Sequence, residues 1–99
     1  MTLRASDQHY RPQARALFDQ LRRAIISIEA NIVEGYALRT PLLFRKHLRI
    51  ALGSAAEAEC LVRVSGELEY LPANTIKDLR RLLDGTIRTL VGFMRKPVA

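Results

Sequence analysis

The sequence predicts an all-α fold: an antiparallel, up-and-down helical bundle forming one domain over residues 1–99. Three observations predict it. Apolar residues recur at intervals of three and four along most of the chain, the rhythm of one helix face. Proline and glycine fall where long helices would be separated, at Gly35 to Pro41 and at Gly66 to Pro72. No stretch sustains the alternation that a strand requires.

Residues 1–10 show no clean period and read as a disordered arm or a partial helical turn. Pro12 suits the first turn of a helix, where its missing N–H costs nothing. From there the first helix runs to about Tyr36, with Leu17, Leu21, Ala24, Ile28 and Ile32 on one face. Gly35 fits a C-terminal stop. Ser27, Asn31 and Glu34 flank the apolar line at helical spacing. Polar groups at a bundle edge must be paired when buried, so these three are expected to fix helix register through hydrogen bonds. Ile26 and Val33 point away from the core line.

Thr40-Pro41 opens the second helix, with Thr as N-cap and Pro at the first helical position. Its core line is Phe44, Leu48, Ala51, Ala55, Ala58 and Val62. The small residues in its middle let a neighbouring helix approach closely. Leu43, Ile50 and Leu61 widen the apolar arc, and the helix fades near Gly66. Glu67 to Ala73 is the turn, and Asn74 the expected N-cap of a third helix. That helix has its core on Ile76, Leu79, Leu83, Leu90 and Met94, supported by Leu82, Ile87 and Phe93. It ends before Pro97, with Arg95 and Lys96 at the negative end of its dipole.

Composition narrows the function classes. With three Phe, three Tyr and no Trp, the core must be aliphatic. No run of about 18 uncharged apolar residues is present, so no membrane span is expected. A secretory leader pattern is missing, so the expected compartment is the cytoplasm. Cys60 is the single cysteine and cannot form an intramolecular disulfide, which fits a reducing compartment. It reads as a small apolar filler. The net charge is +6, and 13 of the 16 basic residues are Arg, whose planar fork suits phosphate and carboxylate. Residues 1–50 carry a net +5, residues 51–70 a net −3 and residues 71–99 a net +4. Such a surface suits nucleic acid or an acidic protein partner.

Candidate chemistry is sparse. His9 and His47 sit in no metal-ligand spacing, and no glycine loop could cradle a phosphate, so no metal site and no cofactor are expected. Ser27 or Ser54 with His47 and Glu57 is the one Ser-His-acid set that can be assembled. Neither serine sits on a strained turn, and the chain is expected not to be an enzyme. Glu57 and Glu59 point to different sides of their helix and form no dyad. Glu57 is expected to pair with an Arg at a helix interface.

The basic residues form stripes. Lys77, Arg81, Arg88 and Arg95 share a narrow arc opposite the core line of the third helix, with Asp84 the acid beside it. Arg45, Arg49 and Arg63 line one side of the second helix, and Arg11, Arg15 and Arg22 one side of the first. Arg45, Arg49, Lys77, Arg81, Arg88 and Arg95 are the candidates for phosphate contact. Tyr10, Tyr36 and Tyr70 could stack on bases but do not interleave with the stripes. Ile26, Val33, Leu43, Ile50 and Leu61 exceed what three packed helices need, and they are the candidate oligomer interface.

Several blocks resemble a known signature. They are Leu21-Arg22-Arg23-Ala24-Ile25-Ile26-Ser27-Ile28-Glu29-Ala30-Asn31-Ile32-Val33-Glu34-Gly35, then Phe44 with Leu48-Arg49-Ile50-Ala51-Leu52-Gly53-Ser54-Ala55-Ala56-Glu57-Ala58-Glu59, then Leu68-Glu69-Tyr70-Leu71. Over roughly residues 17–95 the chain is similar to the bacterial four-helix-bundle proteins related to those encoded in 23S rRNA intervening sequences. The resemblance implies a ring-like homopentamer without enzymatic activity, linked by context to rRNA. A similar fold serves as the accessory variability protein of diversity-generating retroelements, where a basic pentamer binds nucleic acid and a reverse transcriptase. Family members carry a full additional helix before the signature. Here about 16 residues precede Leu17, so three long helices with a short or missing N-terminal fourth are expected. The functional expectation is a homo-oligomer binding RNA or a ribonucleoprotein. The alternative is an adaptor that docks an acidic protein such as a reverse transcriptase, with nucleic acid contact secondary.

Overall fold

The computed structural model describes residues 12–38 and 40–95. The fourth-helix expectation and the arm over residues 1–10 fall outside those residues. Three helices account for nearly all of the described chain: α1 over Pro12–Leu38, α2 over Pro41–Glu67 and α3 over Ala73–Met94. At 1.5 Å per residue, α1 and α2 are each about 40 Å long and α3 about 33 Å. Among the described residues there is no strand.

Side-chain pairs fix the directions. Gln20 meets Glu57, Ser27 meets Ser54 and Asn31 meets His47, so numbers rise along α1 as they fall along α2. Arg45 reaches Met94 and Glu59 reaches Arg80, so α2 and α3 are antiparallel as well. The order is up, down, up, with α2 in the centre. α1 and α3 each pack on α2, and their backbones nowhere come into contact with each other.

The core follows the small-residue line of α2. Leu48, Ala51, Ala55, Ala58 and Val62 are all buried, and they meet Leu21, Ala24 and Ile28 of α1 and Leu83 and Leu90 of α3. Alanines at the centre let both neighbours come close without leaving a void. Phe44, Ile76, Leu79, Ile87 and Met94 close the edges of this cluster half-buried.

Helix boundaries carry their own physics. Thr40 caps α2 as expected, its Oγ1 accepting from the Leu43 N–H at 3.3 Å, with Pro41 at the first helical position. Gly35 does not end α1, which runs on to Leu38. Its value is closeness: a Cβ there would lie 2.8 Å from Cβ of His47 and 3.2 Å from Cδ1 of Phe44. Asn74 is not the cap of α3 either. Pro72 takes that place, and Asn74 falls inside the first turn, where its Oδ1 accepts from the Thr75 N–H at 3.0 Å.

The end of α2 is a Schellman motif. The Glu69 N–H donates to the Gly66 carbonyl and the Tyr70 N–H to the Ser65 carbonyl. Glu69 therefore sits in the left-handed region at φ 60°, where a side chain is disfavoured. The motif turns Tyr70 inward, where it is buried and meets Phe18 edge-on with ring centroids 6.3 Å apart. Burial removes Tyr70 from the set of residues that could stack on bases.

Candidate functional site: a cationic flank and an apolar groove

The seam between α1 and α2 carries the polar line read from the sequence, and its chemistry is closed. Asn31 Nδ2 donates to the Ser27 carbonyl at 2.8 Å and to Ser27 Oγ at 3.2 Å. Ser27 Oγ and Ser54 Oγ share a hydrogen bond of 2.8 Å. With its amide N–H committed, Asn31 turns Oδ1 to His47, whose Nδ1–H donates at 2.9 Å. Glu34 Oε1 lies 3.9 Å from the same nitrogen. The imidazole thus bonds an amide and neither serine, while the serine hydroxyls bond each other. Such a chain fixes the register of two helices, because sliding either by one turn breaks every link. Glu57 accepts from Gln20 at 3.3 Å rather than from an Arg. The interhelical ion pair belongs to Glu59, 3.3 Å from Arg80 Nε. No group of three or more His, Cys, Asp and Glu among the described residues could hold a metal ion.

α2 and α3 carry all six candidate phosphate contacts. The six candidate phosphate contacts divide by their partners. Arg45 is half-buried and donates to the Met94 carbonyl, placing a cation on the negative end of α3 from across the bundle. Arg81 lies 4.0 Å from Asp78, and Arg88 lies 3.2 Å from Asp84, each pair within one turn and solvent-exposed. Exposed intrahelical pairs of this kind hold their partners weakly. Arg49, Lys77 and Arg95 are exposed and have no acidic partner among the described residues. Arg63 stands on the same side of α2. A hydrogen bond from its guanidinium to Cys60, followed by the charge of Glu59, holds its pKa above the ordinary value. Cys60 itself is exposed, not a core filler, because it points away from both neighbouring helices while Ala58 and Val62 take the buried positions.

On another side, the gap between α1 and α3 opens into a groove of about 1450 Å³. Leu48 and Phe44 line it from α2, Ile32, Val33 and Tyr36 from α1, and Leu82 and Phe93 from α3. Phe44 and Phe93 meet edge-on at 6.4 Å. Arg45 also lines the groove. Ile32 was expected in the core; α3 does not reach α1 here, so it remains 36% exposed. Leu82, expected to support the core, is 68% exposed for the same reason. Of the candidate interface residues, Ile26, Val33, Leu43 and Ile50 are exposed, whereas Leu61 is half-buried against the core. Val33 is the one of the five that lines the groove. Tyr36, 74% exposed, stands at its rim.

Sequence reasoning missed the Arg45–Met94 contact and the groove, since both depend on which helices fail to touch. Comparison with known proteins agrees with the helical pattern. Residues 3–92 match the family described as 23S rRNA-intervening sequence protein. No curated protein and no solved structure gives a significant match.

Proposed function

The chain belongs to the 23S rRNA-intervening sequence protein family, and on that premise we propose that it is a cytoplasmic, non-catalytic homo-oligomer whose cationic flank contacts RNA. The observation that carries the proposal is the set Arg49, Lys77 and Arg95, exposed on α2 and α3 without acidic partners among the described residues. Cations left unpaired on long rigid helices are free to meet phosphates. Arg81 and Arg88 add to them, since surface pairs with Asp78 and Asp84 cost little to exchange. Contacts of this kind are largely blind to sequence and weaken steeply with salt. No helix among the described residues is long and apolar enough to cross a membrane.

The test is a low-salt gel shift with structured RNA, followed by a salt titration. The expected result is binding at micromolar protein. The triple variant Arg49→Gln, Lys77→Gln, Arg95→Gln should lower the slope of log affinity against log salt by about 2 to 3. Absence of binding at low salt, or a slope that the triple variant leaves unchanged, would contradict the RNA reading.

A further inference from the structure

Positive charge is shared unevenly among the three helices. α1 carries three Arg against three acidic residues, and α2 four cations against three. Over residues 77–95 five cations stand against two acids, Asp78 and Asp84. Arg80 turns to Glu59 of α2 at 3.3 Å. The other four, Lys77, Arg81, Arg88 and Arg95, are all exposed. With 3.6 residues per turn they fall within about 40° of one another, away from Leu83 and Leu90 on the buried side. Arg95 caps α3 in helical conformation. The line is therefore continuous, and at 1.5 Å per residue it is about 27 Å long.

Two features of this line point to what it meets. The first is a pair of glycines seven apart. Gly85, which also borders the groove, lies between Arg81 and Arg88 in the sequence, and Gly92 between Arg88 and Arg95. A glycine inside a helix is costly in backbone entropy, and it serves where another backbone must come close. No protein neighbour uses the space: a Cβ at either position would meet nothing within 4 Å. The arginines thus border bare helix surface, open to a chain of phosphates. The second feature is that the line holds no aromatic ring. Among the described residues, Phe18 meets Tyr70 edge-on, while Tyr36, Phe44 and Phe93 line the groove, which none of the four cations does. Sequence-blind binders of single strands combine a charged channel with rings on which unpaired bases stack. α3 offers neither ring nor channel along this line, only a convex rod of cations. Paired bases need no stacking partner, and a duplex carries about twice the charge per unit length of a single strand.

We propose that the RNA met by this line is double-stranded, laid along α3 with phosphates on Lys77, Arg81, Arg88 and Arg95 and its backbone over Gly85 and Gly92. The proposal rests on the RNA reading above and narrows it to one helix and one form of RNA. Asp84, the acid beside the line, is held by Arg88 at 3.2 Å, and an exposed pair of this kind exchanges readily. Binding in this way follows the shape and charge of the duplex and reads no base.

Fluorescence anisotropy at low salt tests it with the full chain and two probes, a blunt RNA duplex of about 20 base pairs and an unstructured single strand of the same length. The duplex should bind at least about tenfold tighter. The triple variant Lys77→Gln, Arg88→Gln, Arg95→Gln should lower the salt slope of duplex binding by about 2 to 3. The triple variant Arg15→Gln, Arg22→Gln, Arg23→Gln removes the same charge from exposed positions on α1 and should leave that slope unchanged. Gly85→Gln with Gly92→Gln adds no charge and favours the helix, yet it should weaken duplex binding at least about threefold by filling the bare surface. A melting curve of each variant checks that lost binding is not lost fold. Equal affinity for the two probes would overturn the duplex assignment and leave the RNA reading standing. Equal effects of the two triple variants, or a glycine variant that binds as the wild type does, would overturn the assignment to α3. Absence of binding to either probe would contradict the RNA reading and this proposal with it.

Discussion

α1 has two apolar sides, and they meet opposite fates. On the side turned to α2, Leu21, Ala24 and Ile28 are buried, Gly35 lets the backbones come close, and a run of hydrogen bonds from Ser54 to His47 fixes the register. On the side turned to α3, Ile32, Val33 and Tyr36 face a groove that no described part of the chain fills. Both sides have the composition of a core. The difference lies in whether a neighbouring helix arrives, and α3 does not arrive. Hydrophobicity along a helix therefore marks surface that must be covered, without saying by what.

Substitutions can break this contrast in descending order of effect. Ile28→Ala, in the closed seam, should cost about 2–5 kcal/mol, whereas Val33→Ala should change the stability of the dissociated chain by less than about 0.5 kcal/mol. Urea melts at low protein concentration compare the two, and similar losses would mean the groove side is already covered. The glycines offer a sharper pair. A methyl at Gly35 meets His47, so Gly35→Ala should destabilise by about 1–3 kcal/mol despite its better helix propensity. Gly85 has nothing within 4 Å of a new Cβ, so Gly85→Ala should stabilise the dissociated chain by about 0.5–1 kcal/mol. Equal signs in thermal melts would undo the distinction.

The polar line comes next. Asn31→Ala leaves the His47 Nδ1–H and Ser27 without their shared partner, a loss of about 1–2 kcal/mol in chemical denaturation. Smallest is Glu69→Gly, which should relieve the left-handed backbone at φ 60° and raise stability by about 0.5–1 kcal/mol, a few degrees in melting temperature. A lower melting temperature would mean that the Glu69 side chain contributes more than its backbone strain costs.

Much of the fold was legible from residue order. Three and four spacing located all three helices, and Thr40-Pro41 marked the start of α2 because capping is local chemistry. Ser27 and Asn31 announced a register device because polar groups beside an apolar line need partners. Gly35 misled, since a glycine that ends a helix and one that admits a neighbour look alike in sequence. Ile32 and Leu82 fell outside the core because their burial depended on a contact between α1 and α3 that periodicity does not encode. Tyr70 turned inward on a backbone motif whose left-handed residue is a Glu rather than the usual Gly. Of the candidate phosphate contacts, Arg45 has a structural partner that only the antiparallel packing of α2 and α3 creates.

The most direct test of the account is the mass of the wild-type chain in solution at micromolar concentration, measured by sedimentation equilibrium. Copies that cover each other's exposed apolar surface predict a mass that is a multiple of the chain's 11.2 kDa. A single species at 11.2 kDa would contradict it.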